Sequence, residues 1–183
     1  MIPVLDRGYV KLIGASPDQS QMLYVSSLLS GRLDDKTLAL SNVLLEVKCP
    51  LFIRVQLTDL GFKTLSCRSP EELEAYIPVQ TDIRSASMET DQELQASIQQ
   101  TTEALLLNVK GYVMDGCDRQ AAQVIAPVST YTTVLVQTDL ATLMVFFKKK
   151  GLSNVMNLYR KAFLEAAVQQ WKDIKTICQI EVK

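Results

Sequence analysis

Residues 42–61 read NVLLEVKCPLFIRVQLTDLG, and within them the pattern changes from that of a strand to that of a helix. The first part, 42–48, consists mainly of Val and Leu and predicts a largely buried strand. Pro50 then opens an apolar run to Leu57, which predicts a buried helix with proline in its first turn. The run stops at residues 59–61, Asp-Leu-Gly, where the helix should reach solvent. What these three residues do there is the first functional question that the chain raises.

Strand and helix patterns are mixed along the rest of the chain and indicate an α+β fold. Two more strands are predicted, at 8–14 from partial alternation and at 128–137 from frequent Val and Thr. The segment 77–90 is polar and contains proline, which predicts a loop. Helices are predicted from Pro17 to about Ser30, near 34–40, from a start at Ser69-Pro70-Glu71-Glu72, from Thr90 to near Gly116, over 119–126 behind an Asp118 cap, from a Thr138 cap to Gly151, and from a Ser153 cap to about Ile174.

Composition and charge exclude several classes of protein. The chain has 183 residues, of which 48% are hydrophobic and 21% charged, and its net charge is −1. These values are typical of one folded domain, and no global positive charge attracts it to nucleic acid or to an anionic membrane. The longest apolar stretches, such as 140–147, are too short to span a bilayer, and residues 1–12 lack a signal-like apolar core. We therefore expect a cytoplasmic protein that binds neither nucleic acid nor membrane.

The absence of histidine restricts the chemistry that the chain can perform. Without it there is no Ser-His-Asp or Cys-His catalysis and no H-E-x-x-H zinc site. The four cysteines, Cys49, Cys67, Cys117 and Cys178, are scattered without a C-x-x-C pair, which predicts free thiols in a reducing compartment and no metal site. Any reaction must therefore use carboxylates, Lys, Arg, Tyr, Cys or a bound cofactor.

Three polar features have both a functional and a structural interpretation. The lysines at 148–150 could bind a phosphate, but cations followed by Gly151 also suit the C-terminal end of a helix, which is favoured. Arg54 and Gln56 interrupt an apolar helix; they either point outward, which is favoured, or satisfy a buried partner. The acids at 71–74 fit the first turn of a helix better than a catalytic carboxylate pair. No glycine-rich phosphate-binding motif is present.

Three segments together resemble the flavin-dependent thymidylate synthases. Residues 4–14, VLDRGYVKLIG, are similar to the opening strand of that family. Residues 43–56, VLLEVKCPLFIRVQ, are similar to its passage from a strand into the central helix. Residues 118–150, DRQAAQVIAPVSTYTTVLVQTDLATLMVFFKKK, are similar to a longer family segment, with the spacing kept throughout. The matching positions in this last segment are Arg119, Ala122, Pro127, Tyr131, Thr132, Leu143 and Phe146.

The resemblance covers most of the chain and implies a fold, an assembly and a reaction. It implies one domain over residues 1–183, with a mixed or antiparallel central sheet wrapped by helices. It also implies a homotetramer in which FAD is bound between subunits. The reaction of the family transfers a methylene group from methylenetetrahydrofolate to dUMP and uses the flavin for reduction. A pyrimidine nucleotide is thus the expected small-molecule partner, and no metal is expected.

The positions that match the flavin contacts of the family carry different residues here. The family has Arg-His-Arg at the end of the central helix, whereas this chain has Asp59, Leu60 and Gly61. Asp139 stands where an asparagine usually contacts the flavin, and Gln123 stands where a further arginine is found. Replacing a cation by Asp59 removes a charge-assisted hydrogen bond to an anionic dinucleotide and adds repulsion, each worth about 1–3 kcal/mol.

Among the positions that match nucleotide contacts, Glu71 stands about where the family has an arginine, and two positions survive. Gln56 matches the glutamine of the central helix, and Lys150 matches an arginine of the last segment. Lysine keeps the charge at that position but loses bidentate recognition of phosphate. Ser66, Arg68 and Ser69 follow the helix and supply a serine and an arginine near the family's nucleotide contacts, if the loop is shifted by a few residues. The resemblance identifies no catalytic residue.

Three hypotheses about function follow from the sequence. The favoured one is a divergent relative of these synthases without dUMP-to-dTMP methylating activity, which acts as a nucleotide-binding relic, a scaffold or a regulatory oligomer. The alternative is an active FAD-dependent synthase, or a related pyrimidine-nucleotide methyl or hydroxymethyl transferase, with a site rearranged around Gln56, Arg68, Arg119 and Lys150. The third is an unrelated α+β protein. Binding of FAD distinguishes the first hypothesis from the second.

Overall fold

A computed structural model describes residues 1–28, 35–68, 73–79 and 88–171. A five-stranded sheet lies at its centre, in the order β1-β2-β3-β5-β4, and all neighbouring strands pair antiparallel. The strands are β1 Ile2–Val4, β2 Gly8–Ser16, β3 Asn42–Pro50, β4 Lys63–Arg68 and β5 Tyr131–Thr138. The predicted α+β fold with a central sheet is therefore confirmed, and the sheet is antiparallel rather than mixed.

The three predicted strands form the middle of the sheet, and the two that were not predicted form its edges. β3 pairs with β2 on one side and with β5 on the other, where the register runs from Val43–Thr138 to Pro50–Tyr131. β1 has three residues, and β4, KTLSCR, is largely polar. Neither edge strand has a local signal of its own, and each forms because its neighbour offers backbone partners.

The described helices lie close to the predicted positions. The helix start predicted at 69–72 lies outside the described residues, and the final helix is described to Gln170 rather than Ile174. Among the described residues, no helix is both long enough and apolar enough to cross a bilayer. The helices are α1 Gln19–Leu28, α2 Asp35–Ala39, α3 Leu51–Asp59, α4 Met88–Met114, α5 Arg119–Ala122 with a following 3₁₀ turn at Gln123–Ile125, α6 Leu140–Lys148 and α7 Asn154–Gln170.

The helix that opens at Pro50 is less buried than the sequence predicts. In α3 only Ile53 and Leu57 are buried, whereas Val55 is 53% exposed. The helix has nine residues and presents one side to the sheet, so residues four apart are buried together and Val55 faces away. Arg54 and Gln56, predicted to point outward, are both half-buried.

A hydrophobic cluster joins one face of the sheet to α6 and α7. α6 is the most apolar part of it, because five of its nine residues are buried. Phe62, which follows α3, meets Phe146 of α6 and Phe163 of α7 at ring-centroid distances of 5.3 and 5.6 Å. Both contacts are edge-to-face, an arrangement that favours aromatic pairs beyond the area they bury. The end of α3 is thereby tied to both core helices.

Gly8 lies where the β1–β2 hairpin passes Tyr159 of α7. The hydroxyl of Tyr159 donates a hydrogen bond to the carbonyl oxygen of Lys48 at 3.0 Å. A Cβ atom at residue 8 would collide with that hydroxyl and would lie 2.7 Å from the carbonyl oxygen of Val4 and 2.9 Å from that of Lys48. The two carbonyls belong to paired strands and cannot move aside without disturbing the sheet. Only glycine fits at this position.

We predict that Gly8→Ala lowers the free energy of unfolding by about 1–3 kcal/mol, because the added methyl group overpacks the contact with Tyr159. Gly14→Ala in the same strand is the matched control, since a Cβ atom there meets no described atom within 4 Å. Urea denaturation of both variants measures the effect. Equal stability of the two variants would contradict the account of this contact.

Candidate functional site

The end of α3 is a Schellman motif, which accounts for the sequence Asp-Leu-Gly. Gly61 has φ +89°, a left-handed conformation that glycine adopts without strain. The amide of Gly61 donates to the carbonyl of Thr58 at 3.0 Å, and the amide of Phe62 donates to the carbonyl of Leu57 at 3.1 Å. Leu57 and Phe62 are both buried, as is usual for the hydrophobic contact of this motif. The motif ends the helix and turns the chain directly into β4.

None of the three residues at this end offers a side-chain hydrogen-bond donor. The Asp59 carboxylate is exposed, and Leu60 packs partly buried against the core. Gly61 has no side chain, and the nearest described atom to a Cβ built there is Cγ2 of Thr142, at 3.9 Å. The helix end therefore presents a negative charge and an apolar side chain where the family presents two cations and an imidazole.

The side chain of Asp139 caps the start of α6. Its Oδ1 atom accepts a hydrogen bond from the amide of Thr142 at 2.7 Å, and Oδ2 accepts from the Thr142 hydroxyl at 3.1 Å. Asp139 is thus the N-cap of this helix, and the predicted Thr138 cap is wrong by one residue. Ser41 adds a contact that the sequence did not reveal, since its hydroxyl accepts from the amide of Leu140 at 2.7 Å.

The structure brings Gly61 and Asp139 together at a polar cleft of about 170 Å³. Lys63 is the cation among the residues lining this cleft, whereas Asp139 is an anion and Asp59 lies nearby on α3. The amide of Gln137 donates to the side-chain oxygen of Asn42 at 3.1 Å across the cleft. The volume is smaller than the 300–1,000 Å³ usual for a ligand pocket. The cleft has neither the size nor the net positive charge expected of a dinucleotide site.

The predicted substrate residues do not converge on this cleft. Gln56 lies one turn before the end of α3, and Ser66 and Arg68 lie along the edge strand β4. Ser69 lies outside the described residues. Lys150 follows the opposite end of α6 from Asp139, and a helix of nine residues separates the two ends by about 13 Å. The described residues that line this cleft therefore do not include Gln56, Ser66, Arg68 or Lys150.

The lysines at 148–150 lie at a helix end, as favoured from the sequence. α6 stops at Lys148, and the guanidinium of Arg160 donates to the carbonyl oxygen of Lys149 at 2.8 Å. The prediction that Gly151 ends the helix is wrong in detail, because Gly151, with φ +77°, lies beyond this stop and turns the chain toward α7. Ser153 caps α7 as predicted, its hydroxyl accepting from the amide of Met156 at 3.2 Å.

A second charged cluster, which the sequence did not reveal, surrounds the β1–β2 hairpin. The Tyr131 hydroxyl donates to Asp6 at 2.5 Å, and Lys48 donates to Glu74 at 2.7 Å. Arg7 forms an ion pair with the other oxygen of Glu74. Glu74 was predicted to open a helix, but it lies in an extended segment whose carbonyl accepts from the amide of Tyr131 at 2.7 Å. We call this set, Asp6, Arg7, Lys48, Glu74 and Tyr131, the hairpin cluster.

Among the described residues, each resolved shift moves the pKa of the group further from pH 7. The ammonium of Lys48 lowers the pKa of Glu74, with a smaller contribution from Arg7. Burial raises the pKa of Tyr131, as does its hydrogen bond to Asp6. Burial also raises the pKa of the Cys49 thiol to about 12. A poised general base or nucleophile has a pKa near the working pH, and none of these three groups is shifted toward it.

A larger, apolar cleft is lined by none of the predicted flavin and substrate residues. It has a volume of about 540 Å³ and separates the middle of α4 from the start of α3. Its wall includes Phe52 and Tyr76, whose rings are tilted with centroids 6.3 Å apart. None of the described residues lining it is charged, so these residues offer no counter-ion to a phosphate.

We predict that restoring the family residue with Gly61→Arg lowers the free energy of unfolding by about 1 kcal/mol, because a side chain in the left-handed region is strained. Gly61→Asn is the matched control, since asparagine tolerates that conformation and should cost less than half as much. Urea denaturation measures both. An arginine variant as stable as the wild type would contradict the assignment of the Schellman motif.

The hairpin cluster predicts a specific pH dependence. Because the folded pKa of Glu74 lies below its unfolded value of about 4.3, its ion pairs stabilise the fold fully above that value. Their contribution is lost as the pH falls through the folded pKa. The stability difference between wild type and Glu74→Gln should therefore shrink between pH 6 and pH 3, as followed by urea denaturation. A difference that stays constant over this range would show that the charge of Glu74 is not responsible.

Comparison with known proteins gives a match of fold and not of sequence. No protein-family profile matches the chain, and no curated protein matches it. Among solved structures, it is similar to the crystal structure of a UMP/dUMP methylase, PolB from Streptomyces cacaoi, bound with 5-Br UMP. The TM-score is 0.70 and the match covers 99% of each chain, at 14% sequence identity. At such low identity the likeness establishes a shared fold over nearly the whole chain, and nothing about its reaction.

Proposed function

We propose that the chain is a divergent relative of the flavin-dependent thymidylate synthases that no longer methylates dUMP and acts instead as a non-catalytic subunit of an oligomer. The observation that carries the proposal is the Schellman end of α3. Gly61, Leu60 and Asp59 there serve the turn into β4 and leave no donor for a flavin. The similarity of fold to a nucleotide methylase supports the ancestry, and the residues at this end oppose the activity.

Electrostatics oppose binding of FAD at this end. The pyrophosphate of FAD carries negative charge and needs cations or aligned amides to replace its hydration. The exposed Asp59 repels it, and the amide at the start of α6 that Asp139 caps is already satisfied at 2.7 Å. Lys63 alone offers a single point charge at the cleft. Loss of several contacts in one site removes the positioning on which this chemistry depends.

The backbone conformation at residue 61 disfavours the arginine that the family has at this position. An arginine at residue 61 would need the left-handed φ of +89° or would have to unwind the turn. Unwinding would displace Phe62 from its contacts with Phe146 and Phe163. The stability of the turn therefore favours glycine at residue 61, whereas the flavin contact of the family needs an arginine there.

The remainder of the protein is built as a stable scaffold. The hairpin cluster and the core of α6 and α7 hold the sheet firmly, and the pKa values that are displaced lie away from neutrality. A folded chain whose described residues show no acid, base or nucleophile with a pKa shifted toward pH 7 suits a structural or regulatory role. Self-association, as a homotetramer, remains part of the proposal.

We predict that the purified protein forms no methylated product from dUMP or UMP when supplied with methylenetetrahydrofolate and dithionite-reduced FAD. The product is measured by liquid chromatography against a heat-denatured sample. Formation of product would contradict the proposal and favour the alternative of a rearranged site. In that event Lys150→Ala should reduce turnover while Lys148→Ala, its control at the same helix end, should not.

A further inference from the structure

A further cleft, of about 350 Å³, lies between the β1–β2 hairpin, the extended segment at 73–77 and the second half of α4. It shares no lining residue with the two clefts described above. Its volume falls at the lower end of the range of about 300–1,000 Å³ usual for small-molecule sites, which suits a small ligand. We call it the Lys110 cleft, and its charged lining residues are Asp6, Arg7, Glu74 and Lys110.

Hydrogen bonds fix the side of the Lys110 cleft that faces the sheet. The amide of Tyr131 donates to the carbonyl oxygen of Glu74 at 2.7 Å, and the amide of Tyr76 donates to that of Ser129 at 2.9 Å. The hydroxyl of Tyr131, which is buried, donates to Oδ1 of Asp6 at 2.5 Å. This wall is thus held in place by the fold, and a preformed wall lowers the cost of ordering a site around a ligand.

The charges around the cleft are not all used within the chain. The Glu74 carboxylate is already paired with two cations. The Lys110 ammonium is exposed and pairs with no carboxylate in the part of the chain that the structure describes. Oδ2 of Asp6 lies 3.8 Å from Nε of Arg7, which is beyond hydrogen-bonding distance. One ammonium and one carboxylate oxygen therefore line the cleft with capacity to bind a ligand.

The uncharged part of the lining is aliphatic. Leu106 and Lys110 lie four residues apart and so share one face of α4, which places an apolar side chain next to the ammonium. A ligand that covers this surface removes apolar area from water, which favours binding. The aliphatic residues are Leu73, Ala75, Ile77 and Leu106, and all four are half-buried.

The arrangement of charge selects the kind of ligand. A ligand with only a carboxylate is attracted by Lys110 but repelled by Asp6, and a ligand with only an ammonium meets the opposite pair of forces. The four charged side chains sum to zero, so the cleft does not favour a phosphate. A small zwitterion with an aliphatic side chain satisfies both charges and the apolar surface at once.

We propose that the Lys110 cleft binds a free aliphatic α-amino acid. The carboxylate of the ligand pairs with Lys110, and its ammonium pairs with Asp6. Its side chain lies against Leu73, Ile77 and Leu106. The proposal does not rest on the loss of methylation or on self-association, because an active chain or a monomer would contain the same cleft. A measurement of amino-acid binding therefore fails or succeeds independently of the proposed function.

Equilibrium dialysis of the full chain against radiolabelled L-leucine at neutral pH tests the site. We expect one equivalent to bind per chain with a Kd below about 1 mM. Isocaproic acid lacks the ammonium of leucine and isoamylamine lacks the carboxylate, so each should compete at least about tenfold more weakly. Absence of leucine binding, or competition by isocaproic acid as strong as that by leucine, would overturn the proposal.

Lys110→Met tests the cation of the cleft. Methionine keeps much of the length of the side chain and favours the helix, but it removes the charge. Leucine should bind at least about tenfold more weakly, whereas isoamylamine should bind no more weakly than to the wild type. Lys161→Met is the matched control, because it removes the same charge from an exposed helix position that does not line the cleft. Unchanged leucine binding by a Lys110→Met variant that is folded by far-UV circular dichroism would contradict the proposal.

Asp6→Asn separates the charge of Asp6 from its contribution to the fold. Asparagine keeps an oxygen that accepts the hydrogen bond from Tyr131 but carries no charge. Leucine should bind about tenfold more weakly, whereas isocaproic acid, which is no longer repelled, should bind more tightly than to the wild type. Asp115→Asn, which neutralises an exposed acid outside the cleft, should change neither. Equal weakening of both ligands by Asp6→Asn would show a purely structural role and would overturn the proposal.

Discussion

The chain must leave α3 and enter β4 through only three residues, 60–62, and this constraint governs much of the structure. β4 can pair with β5 only if the helix stops at Asp59 and the backbone reverses at once. Gly61 makes the reversal in the left-handed region, and Phe62 then enters the core between Phe146 and Phe163. The edge of the sheet, the packing of two helices and the end of α3 therefore depend on one turn. The same turn contains Asp59, Leu60 and Gly61, the positions that the sequence resemblance matches to flavin contacts of the thymidylate synthase family.

The structural roles of the residues at the candidate site limit the chemistry that these residues can perform. A catalytic site needs groups held ready to change their charge or to bind an anion. Here Asp139 caps α6, Asp59 faces solvent, and the hairpin cluster fixes Glu74 as a carboxylate and Tyr131 as a neutral donor. Each of these groups has a structural role that opposes a catalytic one. The proposed loss of activity is thus compatible with a fold that is similar to that of a nucleotide methylase.

Local signals in the sequence predicted the central elements well. The apolar run of β3, proline at the start of α3 and the Ser153 cap of α7 all act within a few residues, and all lie where predicted. The predictions failed where the structure depends on residues that are far apart in the sequence. β4 forms because β5 offers it partners, and Tyr131 bonds to Asp6 across 125 positions in the chain. The sequence predicted that α3 is buried, but a short helix buries only the side that faces the sheet, and Val55 on the other side is exposed.

The visible absorption spectrum of the purified protein, recorded before and after addition of excess FAD and removal of the unbound fraction, tests the central claim most directly. The account predicts that no flavin band is retained, since the end of α3 offers FAD an exposed carboxylate, an aliphatic side chain and a glycine. A retained stoichiometric flavin band would contradict it, and would mean that other residues of the chain have rebuilt the site.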